Sequence, residues 1–338
     1  MLAINILSVG SNLIFLKSGA RIMENAPAID PIEPEDDRAV TVNHRYLRRA
    51  QLWHATLVTT LFPVLGVAAG IILTLAWGWD SRVLWILGLS YVLTVIGLEV
   101  GYHRYFTHLA FKTPSWVKAV LAILGSMCAQ GPVIYWVANH RRHHQFSDQK
   151  DDPHSPNAGY SGLSWRGFWH AYVGWTYTHA TPNTARFAQD WLQDPTVFRI
   201  NQHYFLWLSV GALLPGVWGM LWIGGWQGFL LGVVWGGAIR IFLVTNAALG
   251  VTSLCHIAGS RPYRTRDQSR NVLWLVLPTF GQAWHNHHHA FPRSAIMGFE
   301  WWQVDLGGWT IRLLEFFGLA TDIRCPTAEQ RARLLNKQ

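Results

Sequence analysis

The stretch LWHATLVTTLFPVLGVAAGIILTLAWGWDSRVLWILGLSYVLTVIGL, residues 52–98, decides the fold of this chain. Residues 52–79 include no charged side chain, and after Asp80-Ser81-Arg82 a second uncharged run extends from residue 83 to residue 98. Apolar runs of this kind are long enough to cross the hydrocarbon core of a bilayer as α-helices. The short turn between them therefore predicts a helical hairpin in a membrane.

A second region repeats the pattern. Residues 200–239 are again uncharged, the pair Gly224-Gly225 interrupts the run, and Trp218, Trp222 and Trp226 surround the interruption. Glycine favours a turn, and tryptophan is enriched at membrane–water interfaces. We therefore predict an all-α integral membrane protein with four transmembrane helices as two hairpins, at about residues 52–79, 83–101, 202–223 and 226–249.

A further apolar stretch, residues 119–135, is about as long as a span but contains Gly125, Gln130, Gly131 and Pro132. Hydropathy alone does not decide whether it crosses. If it lies at the interface, both hairpins open to one side, and the cations agree with this arrangement. The turns offer only Arg82, whereas the loop side holds Arg45, Arg48, Arg49, Arg104, Arg141, Arg142, Arg261, Arg264, Arg266 and Arg270. The positive-inside rule then places the loops, and any site on them, on the cytoplasmic side.

Composition narrows the class of protein. Of 338 residues, 14% are charged and 50% are hydrophobic, and the net charge is +8. No module of interleaved basic and aromatic residues is present, so nucleic acid is not expected as a partner. The three cysteines, Cys128, Cys255 and Cys325, lack the spacing of a disulfide framework or a thiolate metal site. Residues 1–49 are predicted to be a leader, partly disordered, in which either Met1 or Met23 is the start.

Histidines gather in three places on the loop side. The motifs are HRYFTH with His103 and His108, HRRHH with His140, His143 and His144, and HNHHH with His285, His287, His288 and His289. The spacing i, i+3, i+4 in the second and third motifs places three imidazoles on one helix face. Eight or nine such ligands exceed what one ion accepts, so two metal ions are expected. Zinc accepts imidazole ligands, and iron does so as well.

The motifs and their surroundings resemble the membrane fatty acyl desaturases, in particular the Δ9 acyl-lipid and acyl-CoA branch. The matching segments are GYHRYFTHLAFKT, WVANHRRHHQFSDQKDDPHSP, CHIAGSRPY, GQAWHNHHHAFPRSA and WWQVDL, and the likeness covers residues 50–322. It implies a desaturase domain over residues 50–322 with a cytosolic helical cap formed by 102–201 and 250–322, and a C-terminal tail, 323–338. It also implies a histidine-rich di-iron site, and a cis double bond at Δ9 formed with O₂ and two external electrons.

Transferred residue by residue, the resemblance implies nine metal ligands: His103, His108, His140, His143, His144, His256, His285, His288 and His289. It implies supporting roles for Glu99, Asp152, Thr252, Gln282 and His287. Glu99 lies one helical turn before His103 and is equally compatible with a solvated carboxylate. Among Asp148, Asp151 and Asp152, the resemblance favours Asp152 alone.

Two other classes of protein remain open at this point. A membrane di-iron fatty acid hydroxylase or alkane monooxygenase would share the metal, the oxygen chemistry and the topology. A membrane protein that only handles metal ions would need neither an acyl tunnel nor oxygen. For the desaturase, the acyl substrate is linked to a lipid, to CoA or to a carrier protein, and a separate ferredoxin or cytochrome b5-like electron donor is required.

Overall fold

The computed structural model describes residues 39–159 and 164–336, so most of the predicted leader lies outside the described residues. These ranges contain isolated β-bridges but no β-strand. The helices are α1 Arg45–Trp77, α2 Arg82–Thr107, α3 Ser115–Ser126, α4 Val133–Phe146, α5 165–178, α6 Thr184–Phe187, α7 Gln189–Leu192, α8 Pro195–Gln202, α9 204–224, α10 225–254, α11 Leu273–Val276, α12 His285–Ala290, α13 Leu306–Phe316 and α14 Ala328–Leu334.

Helices α1 and α2 form the first hairpin. Gly78 ends α1 with a φ of 81°, a left-handed conformation that glycine adopts without strain. The turn is closed by Asp80, whose carboxylate accepts hydrogen bonds from the backbone and the guanidinium of Arg82. Helix α1 begins at Arg45, before the predicted span that starts at residue 52, because its polar first turns continue the same helix. The position of charged residues predicts where the chain leaves the membrane, but the helix itself can begin earlier, in polar residues.

Helices α9 and α10 form the second hairpin, which reverses at Gly224 (φ 113°) and Gly225 (φ 57°). Small residues let the two arms touch. A Cβ atom on Gly219 would lie 2.1 Å from the carbonyl oxygen of Gly228, so only glycine fits there. The Nη1 atom of Arg82 donates to the carbonyl of Trp222 at 2.9 Å, which places both hairpin turns at the same end of the bundle.

The ambiguous stretch 119–135 is divided between two helices. Helix α3 has 12 residues and is therefore about 18 Å long, short of the roughly 30 Å of a hydrocarbon core. It ends in a bend with positive φ at Ala129 and Gly131. Within the described residues, three continuous helical segments are long and apolar enough to cross a membrane: Arg45–Trp77, Arg82–Thr107 and Tyr204–Leu254, the last of which contains the reversal.

Two buried arginines join these elements. Arg240 of α10 donates to the carbonyls of Gly236, Met127 and Gly211, and so satisfies carbonyls at the end of α3 and within α9. Arg104 of α2 forms ion pairs with Glu99 and Asp305. A buried guanidinium is tolerated only when its donors are paired in this way.

The helices other than α1, α2, α9 and α10 are here called the cap. Arg104 also donates to the carbonyl of Ala295 at 2.7 Å, which ties the end of α2 to the segment after α12. The predicted tail, 323–338, packs on this cap as far as it is described. The carbonyl of Arg324 accepts from the backbone N–H of Ala295, and that of Leu334 accepts from Arg264.

Candidate metal centre

The three histidine motifs and His256 converge at the junction of bundle and cap. Two adjacent groups result, and within each group one nitrogen of every ring lies within 4.8 Å of those of the others. Group one consists of His103, His108, His140, His144 and His288; group two consists of His143, His256, His285 and His289. All nine predicted ligand histidines are thus brought together, and His287 lies outside both groups.

Local backbone geometry aims these side chains. At the end of α2 the backbone N–H of His108 donates to the carbonyl of His103 at 3.3 Å, an i to i+5 bond of a widened helical turn. Such turns occur often at functional sites, and this one lets two histidines five residues apart reach the same group. On α4 and α12 the ordinary i, i+3, i+4 spacing suffices. His256 follows the last residue of α10, Leu254, by two positions.

The distances between imidazoles fit metal ions. Nε2 of His288 lies 3.1 Å from that of His103 and 2.8 Å from that of His144. In group two, Nε2 of His285 lies 3.0 Å from that of His256. Ligand nitrogens about 2.1 Å from one ion are separated by about 3.0–3.4 Å. The Nε2 atoms of several rings thus meet at the spacing that ligands of a shared cation would have.

Four carboxylates hold the opposite edges of four rings. The Nδ1 atoms of His103, His143, His256 and His289 lie 2.8, 2.9, 3.1 and 2.7 Å from carboxylate oxygens of Glu99, Asp152, Asp148 and Asp267, respectively. A ring that donates its Nδ1–H to a carboxylate presents the Nε2 lone pair on its other side. This is the usual support of a metal-binding histidine, because it fixes the tautomer and the ring orientation.

Burial prepares four other rings of the two groups for metal binding. It lowers the pKa of His140, His144, His285 and His288 well below the ordinary value, so these rings are neutral at pH 7. Burial alone would raise the pKa of Asp152, but the neighbouring His143 outweighs it and lowers this pKa to about 2. Neutral imidazole and ionised carboxylate are the forms that a metal site requires.

The five supporting residues expected from the sequence have different positions. Glu99 and Asp152 contact ligand histidines, as described above. The hydroxyl of Thr252 instead donates to the carbonyls of Ala171 and Leu249, at 2.8 and 3.0 Å. His287 bonds through Nδ1 to the carbonyl of Met297 at 2.8 Å and stacks on Trp284. Gln282 lines a cavity that also reaches Glu99.

Three important residues were missed or set aside in the sequence. Asp148, set aside in favour of Asp152, supports His256, so that narrower choice was wrong. Asp267 lies in the loop RTRDQSR, where no periodicity points to His289. Arg104 was counted only as a loop cation. Of these three residues, only Asp148 could have been predicted from the sequence, because it belongs to the acidic run after the second histidine motif.

A small apolar cavity of about 10 Å³ lies between α2, α10 and the segment after α11. It is lined by Val95, Leu98, Val244, Ala247, Ala248, Pro278 and Thr279, with Glu99 and Gln282 at its polar end. Since Glu99 also bonds His103, this cavity is separated from group one by a single carboxylate.

These features define a class: a membrane-associated helical protein with a histidine-rich, metal-binding centre beside an apolar cavity. Comparison with known proteins gives the family. The family model "Fatty acid desaturase" matches residues 81–312. The chain is 42% identical over 296 residues, 86% of its length and 92% of that protein, to a hex-5-enoyl-[acyl-carrier protein] acetylenase of Moorena producens (strain JHB).

Other relatives are desaturases of lipid-linked chains. The chain is 37% identical over 263 residues (74% of this chain, 78% of the relative) to Delta-9 acyl-lipid desaturase 2 of Arabidopsis thaliana. It is 38% identical over 237 residues (70% and 81%) to the sn-1 stearoyl-lipid 9-desaturase of Anabaena variabilis. The chain belongs to the fatty acid desaturase family, and it is an oxygen-dependent fatty acyl desaturase.

Proposed function

We propose that this protein inserts a cis double bond at Δ9 of a saturated acyl chain, with two iron ions held by the nine histidines of groups one and two. The single observation that supports the metal assignment most strongly is the pairing of Nε2 atoms about 3 Å apart across helices remote in sequence. When bound, the irons supply the oxygen chemistry that breaks unactivated C–H bonds, which side-chain acids and bases do not achieve.

The chain's own residues position the reactants. The acyl chain is proposed to lie out of water along the apolar residues of α2 and α10 that line the small cavity, and to meet the metal centre near Glu99 and Gln282. Glu99 forms an ion pair with Arg104 and contacts Nδ1 of His103, and so keeps the His103 ring in place. A fixed chain presents one pair of methylenes to the reacting centre, which explains a single position of the double bond.

Expression in a host that lacks desaturases, followed by fatty acid analysis by gas chromatography and mass spectrometry, tests the proposed reaction. The expected product is a monounsaturated chain of about 16–18 carbons with a cis bond at Δ9, since positioning selects one methylene pair. A hydroxylated chain as the main product would contradict the proposal and support the hydroxylase.

A second candidate reaction rests on the acetylenase of Moorena producens, whose alignment spans 92% of that protein. An acetylenase removes two hydrogens from an existing double bond and leaves a triple bond. Supplying the purified protein with saturated lipid-linked chains and, separately, with an unsaturated chain on acyl-carrier protein distinguishes the two reactions. An alkyne from the second substrate and no product from the first would favour the acetylenase.

The cavity gives a prediction about substrate binding. Ala248 lines it, and Ala248→Phe fills it with a ring, so we expect desaturation to fall at least about 10-fold because a misplaced acyl chain no longer meets the centre. Iron content should be unchanged. The matched control is Leu243→Phe on the same helix, whose side chain is 41% exposed. Equal activity of both variants would show that this cavity does not hold the acyl chain.

We further propose four membrane crossings, α1, α2, α9 and α10, with the cap on the cytoplasmic side as the domain over residues 102–201 and 250–322. Adjacent turns at one end of the bundle and a single metal centre at the other end support this arrangement.

Cysteine labelling in intact cells and inverted vesicles tests this topology. In a Cys325→Ser background, where the remaining cysteines are buried, single cysteines replace exposed Lys150, Arg293, Ser81 and Gln227. The first two should react only from the cytoplasm, and the last two only from the opposite side, because the turns and the cap lie at opposite ends. Labelling of positions 150 and 293 from different sides would refute it.

A further inference from the structure

The site needs electrons from another protein, and one surface loop leads directly to its ligands. Of the four carboxylates that support metal-binding histidines, Glu99 and Asp152 have side chains that are 1% and 0% exposed. Asp148 and Asp267 are slightly exposed, at 8% and 10%. Asp267 belongs to the loop 261–270, and Asp148 contacts this loop. Of the four histidines that contact a carboxylate, His256 and His289 therefore have the carboxylates nearest to solvent.

Hydrogen bonds connect this loop to both ligands. The backbone N–H of Gln268, an exposed residue, donates to Oδ2 of Asp148, and that same oxygen lies 3.1 Å from Nδ1 of His256. Oδ2 of Asp267, the preceding residue, lies 2.7 Å from Nδ1 of His289. Two adjacent loop residues thus connect to two histidines of group two. Asp267 contacts His289 directly, and Gln268 reaches His256 through Asp148.

The charge of this loop is strongly positive. The sequence RPYRTRDQSR, residues 261–270, contains four arginines and one carboxylate, Asp267, which is directed inward to His289. Among the described residues none of these arginines forms an ion pair with a carboxylate, and Arg264 and Arg266 are exposed. Unpaired surface cations of this density attract an acidic partner and accelerate its association.

We propose that the loop 261–270, here named the basic loop, is the docking surface for a small acidic protein that carries one electron at a time. This inference rests on the proposed di-iron function. Two carrier encounters deliver two electrons. Together with two protons and two hydrogens from the acyl chain they reduce O₂ to two water molecules, while the acyl chain gains its double bond and two carriers are oxidised.

Charge reversal tests the proposal. The double variant Arg264→Glu/Arg266→Glu is compared with Arg49→Glu/Arg199→Glu, which reverses two exposed arginines on α1 and α8. Binding of an acidic [2Fe–2S] ferredoxin and of the soluble domain of cytochrome b5 to the detergent-solubilised protein is measured at low and high salt. The loop variant should raise the Kd of the bound carrier about 10-fold or more at low salt, with little effect at high salt. The control should bind normally.

A second measurement separates this inference from the proposed function. With dithionite as the reductant in place of a carrier, the loop variant should form product in a single turnover as fast as wild type. Wild type that forms no product under these conditions would refute the proposed function, while carrier affinity would still decide the docking surface. Unchanged carrier affinity in the loop variant overturns the inference. Loss of binding to phosphatidylglycerol vesicles with intact carrier affinity also overturns it and assigns the loop to the lipid surface.

Discussion

Replacing His288 by alanine is expected to abolish desaturation and to deplete iron, while replacing its neighbour His287 by glutamine should preserve both. Nε2 of His288 lies within 3.1 Å of the Nε2 atoms of His103 and His144, so its loss removes a central ligand of group one. Losses of more than about 100-fold are expected, since even the partners that support ligands contribute about 10–100-fold. Iron per chain and product formation are the measurements.

His287 is the control because it belongs to the same motif as His288, but its ring lies outside both histidine groups. Its ring stacks on Trp284 and its Nδ1 atom bonds the carbonyl of Met297, and glutamine retains a donor for that carbonyl. We expect His287→Gln to lower thermal stability modestly and to keep its iron. If His287→Gln lost iron while His288→Ala kept it, the register of the third motif would be wrong.

His256→Ala should lose at least one iron and nearly all desaturation. His256 lies outside the three motifs, but its Nε2 atom is 3.0 Å from that of His285 and its Nδ1 atom is held by Asp148. The alanine leaves group two with three histidines and removes the histidine partner of the Asp148 carboxylate. Metal analysis of the purified variant and its rate of product formation check this expectation.

Thr252→Ala is the matched control on the same helix. The Thr252 hydroxyl is engaged with the carbonyls of Ala171 and Leu249, so the variant should lose about 1 kcal/mol of stability and keep its iron and activity. Full iron occupancy and normal turnover in His256→Ala would leave eight histidines as the ligand set and defeat the assignment of His256.

Local patterns in the sequence predicted the elements of this fold. Uncharged length and a Gly-Gly pair identified the apolar hairpins, and the i, i+3, i+4 spacing identified the histidines that share a helix face. That spacing does not extend to His256, because α10 ends at Leu254. Helical spacing predicts a shared face only for residues that lie within the helix.

The residues that orient the histidines of the site could not be predicted from local sequence patterns. Asp267 and His289 are 22 residues apart, and Arg104 and Asp305 are 201 residues apart. Neither pair is linked by any periodicity, since tertiary packing alone brings them together. The three motifs and the family resemblance thus predicted which histidines lie together, while the carboxylates and the arginine that orient them required the three-dimensional arrangement.

The central claim, that nine histidines hold two irons, is tested most directly by anomalous scattering at the iron absorption edge from crystals of the purified, active protein. The account predicts two peaks per chain, one within group one and one within group two. A single peak, or peaks that appear at the zinc edge and not at the iron edge in active protein, would contradict it.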